Sequence, residues 1–474
     1  MTSPRSVLVV GGGPAGSVTA TLLAQAGLSV RLLESQHFPR YHIGESLTPS
    51  TRHVLQLAGV ADALDSGDFQ VKRGGTFRWG QDSWTIDWSQ LFGDHIRTWQ
   101  VDRAAFDALL LENAAAKGVS VRHGITAKTV AFTAEGRPSS VRCVTDDGTE
   151  VTYDGFDFLI DASGRTGLLS AQHFRNRTPH TFFRNVAIWG YWKGARLLPE
   201  SPEGGVNVIS SPKGWYWVIP LAGGRTSIGL VTHKDTFADA RRAHPDLDAL
   251  YQALVAESDT VTDLLTDAQS QGSARVETDY SYVADSFSGP GHLLIGDAAC
   301  FLDPLLSTGV HLALYGGMVA AAALASVHRG EIAEGEALDF FEASYRRAYT
   351  RMLALVSSMY EAYEGKDDFF WTADRLVHED APVRREARDS ASFGEIIAGL
   401  SDLREATEPG TRVVTGRLAA EAERVHHKAP AAPKADELSF DALRATPHDD
   451  GALNGLRVVT EPTLGLQRVN TDRP

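Results

Sequence analysis

Residues 6–34 read SVLVVGGGPAGSVTATLLAQAGLSVRLLE. The opening SVLVV is a continuous apolar, β-branched run without polar alternation, the pattern of a strand buried on both faces of a parallel sheet. Residues 15–26 supply helix formers, and residues 28–33 return to strand character. Between strand and helix, Gly11, Gly13 and Gly16 fit GxGxxG, with Pro14 and Ala15 inside the motif. The first glycine permits the tight turn and the second lets a pyrophosphate reach the backbone. The third allows close helix-to-strand packing, and the helix N-terminus offers free N–H groups to an anion. Glu34 lies 18 residues past Gly16, at the end of the second strand, where a carboxylate can accept from ribose hydroxyls. The stretch is a β-α-β dinucleotide-binding unit.

Working outward, residues 156–161 and 292–295 are further buried-strand runs. Residues 186–192, 206–209, 215–221 and 226–231 are short strands separated by Pro, Gly and Lys turns. The expected core is therefore residues 1–330. Nucleotide-binding segments fall at 1–40, 100–165 and 285–330, and an antiparallel substrate-side sheet at about 70–100 and 180–285. Residues 331–425 read as a helical C-terminal region, and 426–474 as a Pro/Ala-rich linker and tail. The 474 residues carry 45 Lys and Arg against 60 Asp and Glu, a net charge of −15. That surplus argues against nucleic acid or an anionic membrane as partner. Cys143 and Cys300 are the two cysteines, too few for a disulfide framework or a CxxC zinc site, so a cytoplasmic location is expected and no metal. The longest small-apolar stretch, residues 317–327, falls short of a membrane span.

Arg103 opens a helix, and Gly296-Asp297 closes a late strand, where a flavoprotein would carry further cofactor contacts. GGGPAG at residues 11–16, DASG at 161–164 and GDAA at 296–299 occur in the order and spacing of three FAD fingerprints. They resemble those of the group-A flavin monooxygenase fold, related to p-hydroxybenzoate hydroxylase. The resemblance implies an α/β fold of the GR2 FAD-binding type, with Asp297 on the ribityl hydroxyls.

Three more features narrow the resemblance. Residues 215–220 spell WYWVIP, a complete WxWxIP; residues 301–309 spell FLDPLLSTG, matching FxxPxxSxG; and Lys72 lies within FQVKRGGTFRWG. Together they are similar to flavin-dependent halogenases, closest to the branch acting on phenols and pyrroles, including glycopeptide-tailoring and carrier-protein-dependent members, and unlike the tryptophan halogenases, whose extra substrate-covering segments are not found here. The resemblance implies a two-component enzyme fed with FADH2 by a separate flavin reductase; no second GxGxxG follows a strand, a feature shared with group-A hydroxylases. It implies that O2 and chloride or bromide react through a flavin C4a-hydroperoxide to give hypohalous acid. Lys72 would be the catalytic residue, forming a haloamine or aiming hypohalous acid by a hydrogen bond; a lysine in a dry pocket loses basicity and can do either. Trp215, Trp217, Ile219 and Pro220 would keep flavin and substrate apart, and the Thr308 and Gly309 amides would hold the halide. The same turn also reads as an N-cap by Ser307. In FPR…GES at residues 38–46, Ser46 is expected near FAD, and Glu45 is equally readable as a structural cap.

Two other readings compete: a FAD-dependent aromatic hydroxylase or epoxidase on the same fold, and a flavoprotein that senses or binds without turnover. His311 is set aside as a packed or exposed helix residue, and no motif marks the group that removes the ring proton. An acidic carrier protein bearing the aromatic substrate would need a local basic patch, for which Arg384, Arg385 and Arg388 are candidates.

Overall fold

In a computed structural model of the chain, residues 5–360, 390–408, 453 and 455–469 are described. The first run, Ser6–Val10, is the centre of a six-stranded sheet ordered Ser288–Gly289, His292–Leu294, Phe158–Asp161, Ser6–Val10, Ser29–Leu33, Ser120–Arg122. All pairings are parallel except the short edge strand Ser288–Gly289, which is antiparallel to its neighbour. Val7, Leu8, Val9 and Val10 are all buried, as the unbroken apolar run requires. Of residues 100–165, only Ser120–Arg122 and Phe158–Asp161 join this sheet. Ile125–Phe132, Pro138–Thr145 and Glu150–Asp154 form a separate antiparallel meander.

A second sheet has eight strands in the order Cys300–Phe301, Gln269–Ala284, Arg177–Lys193, Arg225–His233, Gly214–Pro220, Val206–Ser211, Gly74–Trp79, Asp82–Asp87. It is antiparallel apart from one parallel pairing, Val206–Ser211 with Gly74–Trp79. Its strands are longer than the sequence reading has them, because Arg177–Lys193 and Gln269–Ala284 run on through bulges. The wall tryptophans are on Gly214–Pro220, in the middle of this sheet.

Helix Thr308–Arg329 packs between helices Pro14–Gln25 and Glu334–Tyr360. It is long and apolar enough to cross a membrane, yet the apolar window is buried entirely inside the protein, so it is a core helix. Two successive glycines explain how neighbours approach so closely. A Cβ at Gly317 would stand 2.4 Å from Thr19 Oγ1 on helix Pro14–Gln25, and one at Gly316 would stand 2.7 Å from the Tyr345 ring on helix Glu334–Tyr360.

Behind this helix the short helices Ser390–Ile397 and Leu400–Thr407 are docked by a Ser50 N–H to Ala398 O bond of 2.9 Å. The tail contributes structure too: hairpin Leu456–Val459 with Gly465–Arg468 is tied to the core helix by Leu466 N–H donating to Ser326 Oγ at 2.8 Å. Residues 361–389 and 409–452, with Arg384, Arg385 and Arg388 among them, lie outside the described residues.

Candidate active site

One cavity of about 610 Å³ runs between the two sheets. Its first end is built by the N-terminal unit. Gly11 has φ +108°, and a Cβ there would meet Ala162 O at 2.1 Å; a Cβ at Gly16 would meet Gly11 O at 1.9 Å. Both glycines are thus required by close approach, and the following helix has Gly13 at its N-cap, with no side chain over its first N–H groups. Glu34 ends its strand as expected, its Oε2 accepting from Gly12 N–H (2.7 Å) and its Oε1 from Gln36 N–H (2.8 Å). Its carboxylate is therefore fixed at the cavity wall, beside the glycine turn.

Arg103 is almost fully buried. Its Nε and Nη2 donate to Asp107 at 2.8 and 3.0 Å, and its Nη1 donates to Ile43 O at 2.7 Å. Burial disfavours the charge, but Asp107 outweighs it and holds the guanidinium pKa above its ordinary value. Arg40 donates to the same Asp107 at 2.9 Å, so one buried carboxylate orients two cavity-lining arginines. Sequence reading missed Asp107, although its i+4 spacing from Arg103 is a usable signal. Asp297 keeps its carboxyl partly open to the cavity. Burial pushes its pKa up, against Arg165, Arg103 and Arg177, leaving it suited to hydrogen-bonding neutral hydroxyls.

A glycine cradle a Cβ would fill, an uncapped helix start, a fixed carboxylate for ribose and a desolvated aspartate for a polyol all line this one cavity. These residues fit FAD.

At the other end, Trp215, Trp217 and Ile219 alternate along one strand and share a face, all three lining the cavity. The two indoles are 6.1 Å apart between centroids. Trp217 Nε1 donates to Ser227 Oγ (3.1 Å), and Trp215 Nε1 to Tyr360 OH (2.5 Å). Tyr360 in turn donates to Asp303 Oδ2 at 2.8 Å, which also accepts from Asn185 Nδ2 at 2.8 Å. Asp303 belongs to the FLDP stretch, so the wall and the turn after it are mechanically joined. Pro220, at the strand end, is outside the lining.

Thr308 and Gly309 open the core helix on this wall. Ser307 does not cap it: at φ +58° it is left-handed, and its side chain makes no capping bond. The buried Thr308 Oγ1 likewise has no hydrogen-bond partner among the described residues. An uncapped helix start with an idle buried hydroxyl has the donors a small anion needs.

Lys72 is 2% exposed, on strand Gln70–Lys72, which pairs with Thr98–Gln100. Its Nζ donates to Ser46 Oγ at 2.7 Å and Leu47 O at 2.8 Å and lies 5.1 Å from the Trp88 ring centroid. Neither oxygen partner is a carboxylate, so burial alone brings its pKa down to about 7. Ser46 lines the cavity and Lys72 does not; the amine stands one hydrogen bond behind the wall.

His311 is neither exposed nor merely packed. It bridges Ser50 Oγ (Nδ1, 2.7 Å) and Asp402 Oδ2 (Nε2, 2.7 Å). Burial pushes the Asp402 carboxyl up, but Arg351 and His311 together hold it below the ordinary range. No local signal could have found this cluster, because its members come from four separate helices.

The comparisons agree with one another. The family described as tryptophan halogenase matches residues 6–98 and 97–408. The chain is 38% identical to a tryptophan 2-halogenase from Chondromyces crocatus, over 98% of this chain and 94% of that one. It is 33% identical to the sulochrin halogenase gedL of Aspergillus terreus, over 93% and 83%. Among solved structures, the myxobacterial chondrochloren halogenase CndH superposes with TM-score 0.71 at 32% identity, covering 91% of this chain and 99% of that one. The flavin-dependent brominase Bmp2 gives 0.71 at 26% identity, covering 90% and 100%.

Proposed function

Since this chain belongs to the tryptophan halogenase family of flavin-dependent halogenases, we propose that Lys72 directs its oxidant onto an electron-rich phenolic or pyrrole ring. The enzyme uses FAD, O2 and a halide, and takes reduced flavin from a separate reductase. Bound as FADH2, the cofactor supplies, with O2, the power to oxidise halide to hypohalous acid.

The chain's own residues do the rest. Gly11, Gly13, Pro14, Ala15, Gly16, Glu34, Arg103 and Asp297 hold the cofactor. The Thr308 and Gly309 amides hold halide, chloride or bromide. Trp215, Trp217 and Ile219 keep the ring away from the flavin, so direct oxygen insertion is suppressed and a small oxidant has to cross the wall. Ser46 is the point at which that oxidant meets the Lys72 amine.

The observation that carries the reading is the burial of Lys72 without a counter-ion, which makes the neutral amine abundant near neutral pH. A neutral amine can accept a hydrogen bond from hypohalous acid or take the halogen itself, whereas an ammonium can do neither. The aromatic substrate is proposed to be free or tethered to a carrier protein, and the enzyme to act in the cytoplasm. Both cysteines are unpaired and buried, as suits a reducing compartment. An indole is the second reading of the substrate, favoured by the name of the Chondromyces relative.

The test is a reductase-coupled assay with chloride or bromide and a panel of phenols, pyrrole acids and indoles, free and carrier-bound, read by mass spectrometry. A halogen isotope pair on a phenol or pyrrole supports the proposal; exclusive labelling of indoles moves the substrate to the second reading.

A further inference from the structure

Glu45 sits between the two halves of the site. Its neighbour Gly44 is gripped by Arg103, whose Nη1 donates to Ile43 O and, at 3.2 Å, to Gly44 O; its other neighbour, Ser46, takes the Lys72 ammonium or amine. Its own carbonyl accepts Val101 N–H at 2.7 Å. The backbone is thereby fixed, and the side chain, 3% exposed, lines the cavity.

A carboxyl acting as a structural cap accepts backbone N–H groups, as Asp246 Oδ1 does from Ala249 N–H. Glu45 Oε1 instead accepts from a side chain, Tyr191 OH, at 2.7 Å. Oε2 is buried without a hydrogen-bond partner among the described residues. The groups facing Glu45 do not neutralise it. Arg225 is paired with Asp102 and Arg103 with Asp107, while Ser227 Oγ accepts from the Trp217 indole and keeps its own proton to donate toward Glu45. Burial accordingly pushes the Glu45 pKa up, opposed by Tyr191, Ser227 and Arg225.

From Oε1 a directed chain leads outward. Tyr191 OH lies 3.0 Å from Tyr41 OH, and Tyr41 OH accepts Trp189 Nε1–H at 2.8 Å. Because the indole proton occupies one lone pair of Tyr41, the Tyr41 proton is free to point at Tyr191, whose own proton points at Glu45. Tyr41 is 42% exposed and itself borders the cavity, so the chain runs from an exposed tyrosine at the cavity rim to the carboxyl in its wall.

The reaction needs such a path. On the reading above, ArH + X⁻ + O2 + FADH2 + H⁺ gives ArX + FAD + 2 H2O. Of the four hydrogens in the two waters, two come from the reduced flavin, one from the ring and one from outside. We propose that Glu45 is the proton-donating residue of the cofactor side: its Oε2–H protonates oxygen on the way to water, and solvent restores the proton through Tyr41 and Tyr191. It resembles other buried carboxyls kept neutral for acid work.

The test begins with the infrared spectrum of FAD-bound protein at neutral pH. A protonated-carboxyl band that shifts in D2O and disappears in Glu45→Gln is expected. Glu45→Gln should bind FAD as wild type does and lose about 100-fold in product formation, the usual contribution of a general acid. Tyr191→Phe should keep the band and the first turnover but slow later ones, because only reloading is impaired. Absence of the band in wild type, or wild-type turnover by Glu45→Gln, overturns the proposal. If wild type yields no halogenated product, it is the halogenase reading that fails, and the band still decides the state of Glu45.

Discussion

Replacing Lys72 by methionine removes a buried cation whose two hydrogen-bond partners are both uncharged, while keeping most of the side chain's length. The amine's pKa falls from an ordinary 10.5 to about 7, with burial as its cause. At pH 7 about half of the amine is then neutral, against roughly one molecule in 3,000 for an unperturbed lysine. The shift is also a statement about stability. Between pH 7 and 10.5 the unfolded chain binds a proton that the folded protein does not, so the wild type gains stability as pH rises through that window. Below the folded pKa the penalty of the buried charge is present in full; above the unfolded value it has gone.

Lys72→Met has no such dependence. The difference in unfolding free energy between the two proteins should therefore change by about 5 kcal/mol across the window, in the wild type's favour at high pH. The lost bonds to Ser46 Oγ and Leu47 O add a constant of about 1–3 kcal/mol each against the variant, without affecting the slope. Urea titrations of both proteins at half-unit steps from pH 6.5 to 10.5 measure the difference directly. A difference that stays flat would refute the claim that Lys72 folds into a dry pocket that strips most of its basicity.

Other consequences are simpler to read. Gly16→Ala puts a methyl group 1.9 Å from the Gly11 carbonyl oxygen, so the purified protein should carry no flavin and be destabilised by about 3 kcal/mol or more; flavin content and thermal midpoint check both. Thr308→Val removes a buried hydroxyl that has no partner among the described residues, so stability should be unchanged or slightly higher, while the halide KM rises about tenfold, the worth of one hydrogen bond to an anion. Tyr360→Phe takes away the oxygen that holds the Trp215 indole and donates to Asp303. We expect a stability loss of about 1–3 kcal/mol, normal FAD binding and a larger share of oxygenated product in the mass spectrum.

What the sequence discloses here depends on how local the cause is. The β-α-β unit is legible because each step is a short-range rule: unbroken apolar strand, three glycines, carboxylate at the next strand end. The structure adds that Glu34 is held by Gly12 N–H, a bond across 22 positions that follows from the turn itself. Lys72 is different. Beside Arg73 it has the local look of a surface lysine, and its burial comes from Trp88, residues 46–47 and the Thr98–Gln100 strand folding around it. Ser307 misleads in the opposite sense: its residue type suits a cap, but the turn it ends imposes a left-handed backbone that turns its side chain away from that role. His311 with Asp402, and Glu45 with Tyr191 and Tyr41, cannot be inferred from spacing at all, since the partners are brought together only by packing of distant elements.

The central claim is that Lys72 handles the oxidant and leaves its formation untouched. Single-turnover mixing of FADH2-loaded enzyme with O2, bromide and substrate separates the two, with flavin reoxidation followed optically, halogenated product by mass spectrometry and free hypohalous acid by a solution trap. We expect Lys72→Met to reoxidise its flavin at the wild-type rate, lose product and release trappable oxidant. Halogenated product at wild-type yield from the variant would contradict the assignment.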